Sequence, residues 1–323
     1  MTHARLGRSG LSISRLCLGT LNFGPETSEA DSFAIMDRAA ELGINFFDTA
    51  NVYGWEEGKG ATETIIGNWL AQGGRRDRIV LASKVFMQTG DGPNDGGLSA
   101  YHIRKACDDS LTRLRTDHID LYQMHHIDRA APWEEIWQAM ETLVRQGKIL
   151  YVGSSNFAGW HIAQAQAAAA ARNFMGIVSE QGLYSLCYRH SELEVIPACR
   201  AHGVGFLPWG TLNRGFLAGS GARRHRGQKA TERLKREYER FGGRLPAYVA
   251  LCREAGESPA DVAFAWTLHN PAVPAVIIGP RTIGQLESSL HCLDIRLDES
   301  LLVKLNELWP SPGGEALEGH RPR

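Results

Sequence analysis

Short apolar runs alternate along this chain with stretches whose apolar residues recur every three or four positions, the periods of strands and amphipathic helices. "RLCLG" (15–19) precedes an amphipathic stretch from Glu29 to Leu42, with Thr27 or Ser28 placed to cap it and Gly43 to close it. "INFFD" (44–48) precedes "ATETIIGNWLA", and "RIVLASK" (78–84) precedes "SAYHIRKACDDSLTRL", where Ser99 suits an N-cap. "HIDLYQMHH" (118–126) precedes "PWEEIWQAMETLVRQG", which Pro132 opens and Gly147 ends. "ILYVGSSN" (149–156) leads to an alanine-rich helix through about Arg172, and "GIVSEQ" (176–181) leads to "ELEVIPACRAHG". "VGFLPWG" (204–210) is followed, beyond a charged insertion, by "SPADVAFAWTLHN", and "AVIIG" (275–279) by "TIGQLESSLHCL".

Continuous apolar strands separated by helices imply a parallel sheet covered on both faces, and eight such units close most naturally as a (β/α)8 TIM barrel. A doubly wound sheet would be favoured by a G-x-G-x-x-G turn after the first strand, which "RLCLGTLNFG" does not supply. Residues 1–15, two short alternating runs around Arg8, Ser9 and Gly10, read as a hairpin capping one end of the barrel. Residues 211 to about 255 form the long insertion after the seventh strand, dense in Arg and Lys between Arg223 and Arg244.

Composition narrows the class. The 323 residues fit one barrel domain over 1–323, and a formal net charge of −1 supplies no general attraction for nucleic acid or an anionic membrane. No apolar run approaches the roughly 20 residues of a membrane span, and "MTHARLGRSG" lacks a signal peptide's apolar core, so a cytoplasmic location is expected. The six cysteines are scattered without a C-x-x-C pair, so they read as reduced, buried thiols rather than zinc ligands or disulfides. No sequence feature specifies an oligomeric state.

In such a barrel the active site lies at the C-terminal ends of the strands. The second strand ends in Asp48 with Tyr53 in its loop, the third ends in Lys84 and the fourth in His125. Taken singly, each is an ordinary turn, core or surface residue. Together they make chemical sense. A phenol with a pKa near 10 is a poor acid or base at neutrality unless its phenolate is stabilised, and a neighbouring ammonium does that. A carboxylate in turn keeps the ammonium charged. Asp48, Lys84 and Tyr53 then form a relay with Tyr53 as general acid or base, leaving His125 to orient a substrate oxygen. Such a site protonates a carbonyl oxygen as its carbon accepts a hydride. A metal-dependent hydrolase fits less well, because His125 and His126 are adjacent and no H-x-H or carboxylate cluster ends another strand.

At these residues the chain resembles the aldo-keto reductases, through "LGTLNFG", "GINFFDTANVYG", "ASKV", "DLYQMHH", "GKILYVGSSN", "SEQGLYSL" and "VIIGPRT", most closely the bacterial branch that is similar to potassium-channel β subunits. The resemblance implies NADP(H) bound without a Rossmann fold, with Asp48, Tyr53, Lys84 and His125 as the catalytic tetrad. It implies Ser155, Asn156 and Gln181 as partners of the nicotinamide carboxamide. An aromatic residue stacked on the nicotinamide falls to Phe206, with Trp209 nearby and the division between them open. The resemblance also puts Gly19, Thr20, Leu207 and Pro208 along the cofactor. In "GPRTIGQLESS", Gly279, Arg281 and Gln285 match the adenosine-phosphate clamp, whereas Ser288 and Ser289 stand where Glu and Asn usually grip the adenine. Arg281 beside a helix start is the expected 2′-phosphate anchor, favouring NADPH over NADH. Arg223, Arg224, Arg226, Lys229 or Arg233 either close over the pyrophosphate or belong to a solvated helix, "TERLKREYERFGGR". Phe23, Trp55, Phe86, His126 and Trp209 are expected to wall the substrate pocket. The implied activity is NADPH-dependent reduction of a small aldehyde or ketone; the alternative is a cofactor-sensing regulatory subunit.

Overall fold

The N-terminal alternation folds as an antiparallel hairpin, β1 (His3–Arg5) against β2 (Ser12–Ser14). The structure, a computed structural model, describes residues 1–54, 58–219 and 228–313, with side chains of 228–231 excepted. The apolar runs become the strands β3 (Leu16–Gly19), β4 (Phe46–Asp48), β5 (Val80–Val85) and β6 (Ile119–Met124), then β7 (Ile149–Ser155), β8 (Ile177–Leu183), β9 (Gly205–Trp209) and β10 (Val276–Ile278). They lie parallel in the order β10-β3-β4-β5-β6-β7-β8-β9, a nearly closed (β/α)8 barrel.

The helices between them are α1 (Glu29–Glu41), α2 (Ala61–Leu70), α3 (Ala100–Leu114), α4 (Trp133–Arg145), α5 (Gly159–Ala170) and α6 (Val195–His202). Ser28, not Thr27, caps α1 by accepting from the Asp31 N–H, and Ser99 caps α3 by accepting from the His102 N–H. Each such bond satisfies one of the backbone donors left open at a helix start. The insertion after β9 carries α7 (Gln228–Phe241) and α8 (Leu245–Glu254), followed by α9 (Pro259–His269), α10 (Ile283–Ser288) and α11 (Glu299–Leu308).

The seam between β9 and β10 has a covalent cause. Phe206 donates its N–H to the Ala272 carbonyl just before β10. The next N–H on that side would belong to residue 208, which is proline and has none, so the ladder stops there. Two apolar layers result. Inside the barrel, Cys17, Phe46, Ala82, Leu121, Val178 and Leu207 pack with Leu6 and Ile13, which the hairpin pushes into the N-terminal end. Gly7 permits that approach: it has φ +55°, and a Cβ there would strike the Val178 carbonyl. The larger layer joins strands to helices through residues such as Trp69, Trp137, Phe206 and Trp309. With one end plugged, the opposite end is left for chemistry.

The insertion is more than a solvated charged helix. Leu234 and Phe241 of α7 are buried, Tyr238 packs edge-on to Phe216 at 5.0 Å, and Glu237 accepts hydrogen bonds from Tyr188 Oη and Asn213 Nδ2, both 2.9 Å. Arg233 is exposed. Trp55, Arg223, Arg224, Arg226 and the Lys229 side chain lie outside the described residues. All six cysteines are buried and unpaired. Among the described residues no helix is long and apolar enough to cross a membrane.

Candidate active site

The parallel register brings the strand ends together: Gly19 lies beside Asp48, Asp48 beside Ala82, Lys84 beside Gln123 and Ser155 beside Gln181. Lys84 is fully buried, so its ammonium must find protein acceptors for all three protons. It finds them in Asp48 Oδ2 at 2.6 Å, the Thr49 carbonyl at 2.8 Å and Tyr53 Oη at 3.3 Å. The turn after β4 sets this geometry, since Asn51 donates its N–H to the Lys84 carbonyl and Tyr53 to the Ala50 carbonyl. Asp48, Lys84 and Tyr53 therefore meet as the sequence suggested.

Sequence reasoning missed a fourth member of this network. Gln123, at the middle of the barrel on β6, donates to Asp48 Oδ1 at 2.9 Å, as does Gln181 from β8, also at 2.9 Å. The Gln181 amide nitrogen also lies 3.4 Å from Gln123 Oε1. Asp48 thus receives an ammonium on one oxygen and two amides on the other, which fixes its plane. Room for Gln123 comes from Gly153 on the neighbouring strand, where a Cβ would lie 3.0 Å from Gln123 Cγ. The available signal was alternation: Leu121, Gln123 and His125 share parity, so a polar residue stood one layer beneath His125 on the barrel's inner face.

The protonation states follow from burial and charge. Burial works against the Lys84 ammonium, but Asp48 and Tyr53 outweigh it and its pKa lies above the ordinary value. Burial also dominates at Tyr53 and raises the phenol; Lys84 pulls it back by charge and hydrogen bond, and Asp48 pushes it up, for a net rise. Lys84 thus acts on Tyr53 in the expected direction, but burial outweighs it, so with the site as it stands Tyr53 is a protonated phenol. His125 lies just past β6 with its ring 5.9 Å from the Tyr53 ring. Burial, then the Lys84 charge and His126, depress it to about 3, so the imidazole is neutral near pH 7. Its Nδ1 is buried without a partner.

Around this centre the predicted cofactor residues divide. Asn156 is exposed at the mouth in the left-handed conformation, φ +59°, and donates to the His125 carbonyl at 3.1 Å and Ser155 Oγ at 3.0 Å. Ser155 Oγ donates to the Gln181 carbonyl at 2.9 Å. Gly19 and Thr20 are buried, and Thr20 Oγ1 donates to the Asp48 carbonyl at 2.9 Å, which braces Asp48. Phe206 cannot stack on a nicotinamide. It has no exposed surface and packs outward among Tyr184 and the helices, its ring centroid 5.8 Å from that of Tyr184. Its neighbour Leu207 faces the barrel interior and is equally covered, and Pro208 is buried. Trp209, on the Leu207 side of the strand and partly exposed at its end, is the aromatic residue in reach of the mouth. Phe23 is likewise core, with no exposed surface, while Phe86 and His126 are partly exposed and pair at 5.4 Å between ring centroids.

Beyond the mouth, the loop after β10 is ordered by its own residues. Gln285 Oε1 accepts the Arg281 N–H at 2.8 Å, and Ser288 and Ser289 both turn their hydroxyls back to the Gln285 carbonyl, at 3.1 and 2.8 Å. Gly279 gives its carbonyl to Asn22 Nδ2 at 3.0 Å.

The Aldo/keto reductase family profile matches residues 15–310. The chain belongs to that family. It is 52% identical over 325 residues to Uncharacterized oxidoreductase YrpG of Bacillus subtilis, covering 99% of each chain. It is 32% identical to norsolorinic acid reductase stcV of Emericella nidulans, over 94% of this chain and 80% of that one. It is also 32% identical to a probable voltage-gated potassium channel subunit beta of Arabidopsis thaliana, over 91% of this chain and 92% of the other. Aldo/keto reductases are oxidoreductases that generally use NAD(P)H and act on small carbonyl compounds.

The residues of this aldo/keto reductase fit such a cofactor at the nicotinamide end. Gln181 commits its side-chain amide nitrogen to Asp48 and Gln123, which leaves its side-chain Oε1 to accept from a carboxamide. At the adenosine end the fit is looser, because Ser288 and Ser289 spend their hydroxyls on the helix backbone.

Proposed function

We propose that the chain is an NADPH-dependent reductase of small aldehydes and ketones, with Tyr53 as proton donor. The observation that carries the reading is the saturated Lys84 ammonium: its third proton points to the phenol of Tyr53, next to a neutral His125 with an unpartnered ring nitrogen.

Ser155, Asn156, Gln181, Trp209 and Arg281 would hold NADPH, which when bound would supply the hydride for the substrate carbon. His125 orients the carbonyl oxygen towards the mouth. As the C=O π bond breaks and charge develops on that oxygen, Tyr53 gives up its proton, and the phenolate left behind is stabilised by Lys84. Asp48, held by Gln123 and Gln181, keeps Lys84 charged throughout. Tyr53 is then reprotonated from water. Phe86, His126 and Trp209 form an aromatic rim suited to an uncharged carbonyl compound of modest size. A cytoplasmic location belongs with this reading, supported by six unpaired cysteines.

A cofactor-sensing role uses the same site, and likeness to the Arabidopsis channel subunit speaks for it. The two readings separate in one assay. Purified protein is given NADPH and a panel of aromatic and aliphatic aldehydes, ketones, pyridoxal and keto-sugars, and loss of NADPH absorbance is followed. Turnover on at least one class is expected. Tight NADPH binding with no turnover on any of them would favour the sensor.

A further inference from the structure

Arg281, the residue read above as the 2′-phosphate anchor, already has an anion. Its Nη1 lies 2.8 Å from Glu26 Oε2, across 255 positions of sequence. Neither side chain is freely solvated, with 30% of Arg281 and 23% of Glu26 exposed, so water screens the pair only in part.

The backbone on both sides is fixed. Glu26 and Thr27 both donate their N–H groups to the Asn22 carbonyl at 3.0 Å, and Asn22 Nδ2 ties that loop to the Gly279 carbonyl at 3.0 Å, two residues before Arg281. The Phe23 carbonyl accepts from Thr62 Oγ1 at 3.0 Å, and the Phe23 ring is buried. On the other side, the Arg281 N–H is held by Gln285. The carboxylate therefore cannot leave with its loop; only its side chain can rotate. A further cation is not at hand from α1, since Arg38 is spent on Glu287 at 2.8 Å and Glu41 at 3.0 Å.

We propose that Glu26 is a determinant of cofactor choice: its carboxylate competes with a 2′-phosphate for Arg281, so the preference of this chain for NADPH over NADH is narrowed. The inference rests on Arg281 facing the adenosine 2′ position. A phosphate dianion must displace the carboxylate or share the guanidinium beside a like charge, and either course offsets the bidentate attraction that a free guanidinium offers. A 2′-hydroxyl meets the opposite situation, because a carboxylate accepts its hydrogen bond and no ion pair need be broken.

The test is direct binding, read by quenching of protein fluorescence on titration with NADPH and with NADH, for wild type, Glu26→Gln and Arg281→Ala. Wild type should prefer NADPH by less than about tenfold, and Glu26→Gln should raise that preference about tenfold, mainly through tighter NADPH. Arg281→Ala should remove the preference. Selective loss of NADPH affinity in Arg281→Ala without any change of preference in Glu26→Gln would overturn the competition alone. An Arg281→Ala protein with unaltered NADPH affinity would overturn the placement of the phosphate, and the proposal with it.

Discussion

Glu180 on β8 is buried beneath the loop that presents Asn156, accepting from Ser154 Oγ at 2.5 Å and the Phe157 N–H at 2.9 Å. Among the described residues no cation contributes to its surroundings. Burial pushes its carboxyl from an ordinary 4.5 up to about 8, with the hydrogen bonds from Ser154, Phe157 and Asn156 pulling weakly the other way. The folded state therefore holds a proton that the unfolded chain releases above pH 4.5. The stability this proton confers is complete below that pH, falls by about 1.4 kcal/mol per pH unit as pH rises, and is gone above about 8. The whole span amounts to roughly 5 kcal/mol, or 3–4 once relaxation around the ionised group is allowed for. Glu180→Gln keeps the shape and the acceptor for Phe157 but cannot ionise. The assay is urea unfolding followed by tryptophan fluorescence at pH 5, 7 and 9 for both proteins. The difference in stability between variant and wild type should grow with pH by about 3 kcal/mol or more between pH 5 and 9. Parallel curves for the two proteins would refute the reasoning.

With His125 depressed to about 3 and Tyr53 raised by burial, neither group titrates near neutrality, so kcat for carbonyl reduction should stay flat from about pH 5 to about pH 9. A steep loss within that range that disappears on mutating either residue would contradict those protonation states. Gln123→Leu removes one of two amide donors to Asp48 and should lower kcat about tenfold while leaving NADPH affinity within about twofold; Gly153→Ala, whose Cβ would meet Ser179 Oγ at 2.5 Å as well as Gln123 Cγ at 3.0 Å, should show the same split in weaker form. Steady-state kinetics alongside fluorescence titration checks both, and a change confined to cofactor affinity would argue against a role for Gln123 in the relay.

Much of this was legible because the code is coarse. Eight apolar runs each too short for a helix and each followed by a helical stretch fix a parallel barrel, and the barrel then fixes which strand ends meet. Asp48, Lys84 and His125 could be found that way because each sits at or just past the C-terminal end of its strand. Phe206 went astray because a resemblance places a residue by its position in the sequence, whereas its facing is set by alternation along β9: with Leu207 turned into the barrel, Phe206 must face the helices. Tyr53 shows another limit. A sequence names the charged neighbour of a phenol but not how dry the phenol is, and here burial wins. The Glu26–Arg281 pair joins two loops 255 positions apart and has no local signature at all.

The account stands on Tyr53 as the group that hands its proton to the substrate oxygen. The direct measurement is single-turnover NADPH oxidation by stopped flow, wild type against Tyr53→Phe, with the best carbonyl substrate in excess and NADPH affinity determined in parallel. The rate in Tyr53→Phe should fall by about 10²–10⁴-fold while NADPH binds as before, since only a proton is missing. A near-wild-type rate in the variant would contradict the assignment and move the acid to another residue.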